Sequence, residues 1–246
     1  MRVQAVAIRN LHPVAVADSP RISVIIPALD EAQLITQTLA CLQLLRSHGH
    51  EVIVVDGGST DNTVELSRPF SDKVIQSVRG RAQQMHAGTL QASGEIFWFL
   101  HADTLAPKNA DHLILAALSA ADKYWGRFDI EIPGNDALLK VIAWSMNLRS
   151  RLTGIATGDQ GIFVTRTAYG FIGGFQTIPL MEDIAASRAL GKLVRPVALH
   201  ASLKTSARRW HAAGVIKTII KMWCLRLGYY FGVSPHRLAR FYPTSN

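Results

Sequence analysis

Cysteine is scarce in this chain, and acid is missing from its last quarter. The 246 residues include two cysteines, Cys41 and Cys224, in no CxxC or Cys/His ligand spacing. A disulfide framework and a structural zinc site are thereby excluded, and a reducing, cytoplasmic setting is the default expectation. No apolar run is long enough to cross a bilayer, because the most apolar stretch, 212–233, is interrupted by Lys217, Lys221 and Arg226. The N-terminal segment MRVQAVAIRNLHPVAVADSP carries Arg9, Asn10, His12 and Pro13 among its apolar residues. It lacks the continuous hydrophobic stretch of a signal peptide, so residues 1–20 are expected to form an irregular arm. A Walker A loop, a GxGxxG fingerprint and a nucleophile–histidine–acid arrangement are all missing, which removes kinase, dehydrogenase and hydrolase readings. No internal repeat and no Gly/Ser/Pro-rich linker divides residues 21–246, so one domain is expected there.

What is present is apolar and unevenly charged. With 48% hydrophobic and 18% charged residues, the chain buries enough surface to fold, and disorder and fibrous architectures are excluded. No Asp or Glu follows Asp183, whereas eleven Lys and Arg do, which leaves the first 183 residues at −3 and the whole chain at +8. This asymmetry points to an anionic partner at the C-terminal end: a diphosphate, a phospholipid surface or nucleic acid. A solvated basic face is the plain alternative. The segment 214–233 reads as a helix packed on the domain. Arg226 falls opposite Lys217 on a helical wheel and spoils a clean amphipathic face, and peripheral attachment to an anionic lipid surface stays as the alternative.

The hydrophobic pattern predicts an α/β fold with a mostly parallel sheet. Ile22–Ile26 and Glu51–Val55 are short apolar runs flanking a helical pattern over 31–46, which is a βαβ unit. A helix from Asp61, a strand over 73–76, a helix over 81–92 and the very apolar strand 95–100 continue it. Further on come a helix over 109–120, a strand over 124–131, an amphipathic segment 136–152, a strand over 161–165, a helix over 182–190 and a strand over 194–203. The halves divide as a nucleotide-binding part, 21–104, an acceptor part, 105–210, and a helical end, 211–246.

Ligands of open α/β sheets gather beyond the C-terminal ends of the strands. The segments there are Pro27-Ala28-Leu-Asp-Glu31, Asp56-Gly57-Gly-Ser-Thr-Asp61 and His101-Ala-Asp103. Asp56 can accept from a base N–H, and Gly57 and Gly58 allow close backbone approach. Asp103, a carboxylate behind an apolar strand, suits a divalent ion bridging a diphosphate. For each segment alone, a turn or a helix cap would serve as well.

Together the three segments resemble glycosyltransferase family 2, whose members have the GT-A fold and transfer a sugar from a nucleoside diphosphate with inversion. The resemblance, over about 22–210, rests on PALDE, VVDGGSTDNT and LHADT. It implies that Pro27, Ala28 and Glu31 line the base and ribose pocket, that Asp56 holds a uracil with Gly57 beside it, that Arg81 lies against base or phosphates, and that Asp103 binds Mn²⁺ or Mg²⁺. It also makes Asp183, in Pro179-Leu-Met-Glu182-Asp183, the catalytic base, with Glu182 its neighbour. Gly158, Asp159 and Gln160 would border the donor sugar or acceptor, with Trp210, and Arg208 and Arg209 would clamp the diphosphate. His101 replaces the first Asp of the family's Asp-x-Asp, which leaves one carboxylate for the metal, and His86 stands where relatives carry Asn. The runs GRAQQMHAG, GDQGIF, PLMEDI and TSARRW are similar to a bacterial subgroup labelled arsenosugar-biosynthesis-like glycosyltransferases. The expected partners are a UDP-sugar and an unidentified hydroxyl acceptor, with no nucleic acid. Two rival readings are a nucleotidyltransferase, against which PALDE lacks the glycine-rich basic loop, and a catalytically idle binding protein, which His101 favours.

Overall fold

The computed structural model describes residues 20–120, 122–134, 136–208 and 214–242; the expected arm thus lies outside the described residues except for Pro20. Among the described residues the strands are β1 (Ile22–Ala28), β2 (Glu51–Asp56), β3 (Lys73–Gln76), β4 (Ile96–Phe99), β5 (Thr104–Leu105), β6 (Trp125–Glu131), β7 (Phe163–Thr165) and β8 (Val197–Thr205). They form one mixed sheet in the order β3-β2-β1-β4-β7-β6-β8-β5. The pairs β3-β2, β2-β1 and β1-β4 are parallel, and β7 runs antiparallel to β4 and β6. The helices are α1 (Ile35–Ala40), α2 (Gln43–Ser47), α3 (Thr63–Ser67), α4 (Arg81–Gln91), α5 (Ala110–Ser119), α6 (Ala137–Thr153), α7 (Arg166–Phe171), α8 (Glu182–Gly191), α9 (Val215–Tyr230) and α10 (Pro235–Ala239).

Both faces of the sheet are covered, and the strand alternation divides the core accordingly. Ile22, Val24, Val52, Val54 and Trp98 pack on one face with Leu39 of α1 and Ile114 of α5. Ile25, Ile53, Val55, Phe97 and Phe99 pack on the other with Met85 of α4, Tyr169 of α7 and Leu190 of α8.

Two expectations are corrected. The single helix over 31–46 is two short helices, because the Gln43 side-chain amide takes the Leu39 carbonyl at 2.8 Å and Leu42 N–H reaches back only three residues to it. The last long strand runs 197–205 rather than 194–203, and its end pairs with the two-residue β5. Residues 158–160 form a 3₁₀ turn closed by Thr157 and Gln160.

A buried carboxylate joins the first two strands to the approach of β4. Glu51 is 2% exposed, and its Oε1 accepts from Ser23 Oγ at 2.5 Å, Ser93 Oγ at 2.8 Å and the N–H groups of Ser93 and Gly94, with Lys73 Nζ 3.5 Å from Oε2. Gly94 must be glycine, since a Cβ there would lie 2.5 Å from the Arg21 carbonyl. Burial would raise the Glu51 pKa, but these donors and Lys73 outweigh it and bring it to about 2. The folded pKa is below the ordinary value near 4.5, so this stabilisation is complete above pH 4.5 and is lost as the pH falls toward 2. Glu51→Gln is expected to cost about 1–3 kcal/mol at pH 7, with the difference from wild type shrinking by pH 3, measured by urea unfolding at both pH values.

Candidate active site

The sheet order reverses at β1, whose neighbours β2 and β4 lead in opposite directions, and the crevice beyond this switch point gathers the chemistry. One wall of it is stitched by side chains. Asp56, 1% exposed, accepts from Gly58 N–H at 3.0 Å, Ser59 N–H at 3.1 Å and Ser59 Oγ at 2.5 Å. Asp30, in the left-handed region at φ 51°, accepts from Thr60 N–H at 2.7 Å, and Glu31 N–H donates to Thr63 Oγ1 at 2.8 Å. Gln84 Nε2 donates to both the Ala28 and Val55 carbonyls at 2.8 Å. A Cβ on Gly57 would sit 3.0 Å from that amide nitrogen, so the glycine is fixed by close approach.

The opposite wall carries the acids. Pro27, Arg81, His101, Gly158, Glu182 and Asp183 line one cavity. Asp183 Oδ2 accepts from Gly158 N–H at 2.9 Å and Oδ1 from Ile184 N–H at 2.7 Å, which orients the carboxylate through backbone donors at the start of α8. The preceding Met181, buried, holds φ 72°, a costly conformation for a bulky residue. Glu182 is 5% exposed, and burial together with the Asp183 charge pushes its pKa up to about 7, against the opposing pull of Arg81. Arg81 reaches the open cleft with protein packed around it. That crowding works against its charge, but Glu182, Asp159 and Asp183 outweigh it and raise its pKa.

His101 sits behind this cluster. Its Nδ1 lies 3.1 Å from Asp159, its buried Nε2 has no hydrogen-bond partner, and a Cβ on Gly158 would come within 2.6 Å of that nitrogen. Asp103 is half-buried, and its backbone carbonyl accepts from Ser206 N–H at 3.3 Å, which leads the chain to Arg208. Arg208 reaches across to Glu31 at 2.5 Å, so the cation expected to clamp a diphosphate is here paired with the carboxylate expected to line the ribose pocket.

Of the predicted residues, Pro27, Arg81, Gly158, Glu182 and Asp183 converge on the cavity. Ala28, Glu31, Asp56 and Gly57 are joined by the hydrogen bonds of the first wall, Asp159 backs His101, and Gln160 is buried in the turn beneath. Arg209 and Trp210 lie outside the described residues. Sequence reasoning missed Gln84, whose signal was its place one helical turn after Arg81 at the start of α4. For a divalent ion the donor set is sparse. The group of three His and acid residues whose ligand atoms converge among the described residues, His48, Asp111 and His112, shares no residue with the cleft lining. Asp103, with the orphan Nε2 of His101 nearby in sequence, fits the kind of ion that keeps waters and phosphate oxygens as most of its ligands.

The sequence signature described as Glycosyl transferase family 2 matches residues 23–175. Poly-beta-1,6-N-acetyl-D-glucosamine synthase of Staphylococcus aureus (strain COL) is 29% identical over 100 residues, 38% of this chain and 24% of that protein; the match thus spans about a quarter of the relative's length. The mannosyltransferase PcManGT from Pyrobaculum calidifontis, solved with GDP-Man and Mn²⁺, superimposes with a TM-score of 0.56 at 23% identity, over 81% of this chain and 61% of that one. S. aureus TarS 1–349, solved with UDP-GlcNAc, gives 0.61 at 21% identity, over 76% and 58%. At these identities the two structures establish the fold, which is GT-A.

Glu182 offers a check on the electrostatics. Its folded pKa is raised, so the folded chain holds a proton that the unfolded one releases above pH 4.5, and stability is lost as the pH rises from there through 7. Glu182→Gln is expected to unfold a few degrees above wild type at pH 8 and level with it near pH 4.5, by thermal melts across that range.

Proposed function

The chain belongs to glycosyltransferase family 2, and from that premise we propose that it transfers a sugar, with inversion, from a UDP-sugar to an acceptor hydroxyl. The observation that carries this reading is the carboxylate of Asp183, oriented by two backbone N–H groups in a cavity it shares with Arg81 and bordered by the wall that Asp56 and Gln84 hold. Asp183 takes the acceptor proton as the acceptor oxygen bonds to the anomeric carbon and the bond from that carbon to the diphosphate oxygen breaks. Burial and the neighbouring Asp183 hold the Glu182 pKa up at about 7, so a second charge beside Asp183 is disfavoured. Arg81 and Arg208 lend positive charge to the departing diphosphate. Asp103 would hold a divalent ion, Mn²⁺ or Mg²⁺, which when bound supplies further charge neutralisation there. Asp56 would accept from a base N–H, with Gly57 and Gly58 beside it.

The C-terminal helix adds a partner to this reading. On α9, Ile216, Ile220, Trp223, Leu227 and Tyr230 are all exposed, Trp223 by 72%, and their alternating spacing of four and three aligns them in one stripe. Lys217, Lys221 and Arg226 flank the stripe rather than interrupt it, contrary to the wheel argument that compared the cations only with one another. Neighbouring α6, joined to α9 through Leu139, Ile142, Met146, Val215 and Ile219, also exposes Val141, Trp144 and Leu152. Apolar stripes beside a strongly basic C-terminal segment match an anionic lipid surface. No described helix is long and apolar enough to cross a membrane, so the contact is peripheral.

Two measurements test these statements. Calorimetric titration with UDP, GDP, CDP and ADP, each with and without Mn²⁺, is expected to show UDP binding tightened by the metal; Asp183→Asn should keep that affinity and lose transfer by about 10²–10⁴-fold. Undiminished transfer would remove Asp183 from the role, and no nucleotide binding would favour the idle binding protein. In sedimentation assays the chain should bind vesicles containing phosphatidylglycerol and not pure phosphatidylcholine, and Ile220→Glu with Trp223→Glu should lower binding by more than about tenfold; equal binding by the double variant would free α9 of the contact.

A further inference from the structure

Most polar side chains of α6 that face the sheet are engaged; the exceptions are Ser150, whose buried Oγ has no hydrogen-bond partner, and Arg149. Asn147 accepts from Ile130 N–H and donates to the Ile130 carbonyl, both at 2.9 Å, and so completes the edge of β6 where its register with β8 shifts. Arg151 pairs with Asp129 at 2.6 Å, and Asp129 also holds the buried Arg127. Arg149, between them in sequence, has buried Nε and Nη2 atoms with no hydrogen-bond partner. Those two nitrogens carry the parallel N–H groups with which a guanidinium grips two oxygens of one carboxylate or phosphate.

The surroundings make the vacancy costly. Arg226 of α9 is a second guanidinium that repels Arg149, and among the described residues no carboxylate stands within ion-pair distance of either. Burial first and Arg226 next pull the Arg149 pKa down to about 10. Two buried donors left unpaired beside a like charge are expected to destabilise the fold unless something else supplies the oxygens. Arg127 adds to the repulsion, and the acids that pull against it are Asp183 and Asp159, on the catalytic side. The topology agrees, because α6 follows β6, which is separated from the nucleotide strands β1–β3 by β4 and β7.

We propose that Arg149, with Arg226, forms a subsite for an anionic group, of phosphate type, carried by the acceptor. This deepens the glycosyl-transfer reading and rests on it for the word acceptor: a hydroxyl presented to Asp183 would belong to a molecule whose anionic group lies on the fork of Arg149. The guanidinium is thus a binding group for substrate rather than a strut of the fold.

The test is thermal unfolding of the full chain with inorganic phosphate as probe, with and without saturating UDP and Mg²⁺. In wild type, millimolar phosphate is expected to raise the midpoint by several degrees, and to do so equally when UDP is bound. Arg149→Gln, relieved of an unpaired buried charge, should melt above wild type without phosphate and show no phosphate-dependent rise, and Arg149→Lys should keep only part of the rise. A rise that survives in Arg149→Gln, a wild type that ignores phosphate while responding to UDP, or both variants melting well below wild type would each overturn the assignment. A rise abolished by UDP would give the anion to the donor's diphosphate and overturn it as well. Absence of any response to UDP would instead strike at the donor reading, separately from the subsite.

Discussion

One side-chain amide sets the position of the candidate site. Gln84 Nε2 donates to the carbonyls of Ala28 and Val55, at the ends of β1 and β2, and shares the Ala28 carbonyl with Gly57 N–H at the point where the two strands part. The amide reaches them only because α4 lies against the strands, and Gly88 makes that possible: a Cβ there would come within 2.4 Å of Ile25 Cγ2. Close helix–strand packing therefore fixes the height of Gln84, Gln84 fixes the loop ends, and Gly57 yields the space the amide occupies. Arg81, one turn earlier on the same helix, inherits its place at the rim of the cleft from the same contact.

The opposite wall is built on different terms. Nothing comparable to Gln84 spans it; its acids are set by backbone, through the left-handed Met181 and the Gly158 N–H. Two adjacent carboxylates thereby acquire unlike environments. Glu182 is turned into protein and resists ionisation, and Asp183 faces the cavity with backbone donors on both oxygens.

The sheet and the loops at its end were legible in the sequence, because apolar runs bounded by Pro27, Gly49 and Asp56 leave few alternatives. What escaped was decided by side chains competing with backbone. The Gln43 amide displaces a helical hydrogen bond and divides a helix whose apolar pattern is unbroken. Gln84 was marked only by its place one helical turn after Arg81, since its role depends on two carbonyls 29 and 56 residues away. The outward stripe of α9 was hidden for a geometric reason: cations at 217, 221 and 226 look like interruptions along the chain and are flanks on the helix. Arg149 reads as an ordinary basic residue until Asn147 and Arg151, two positions to either side, are seen to have partners that its buried Nε and Nη2 lack.

The ion pair of Arg208 and Glu31 joins residues 177 apart and closes the outer edge of the cleft, with the arginine side chain 43% and the glutamate 21% exposed. An exposed pair of this kind weakens as dissolved ions screen it, whereas the buried amide bonds of Gln84 do not. The two boundaries of the cleft therefore answer differently to ionic strength: the outer edge loosens in concentrated salt and tightens in dilute solution, while the inner wall keeps its shape in both.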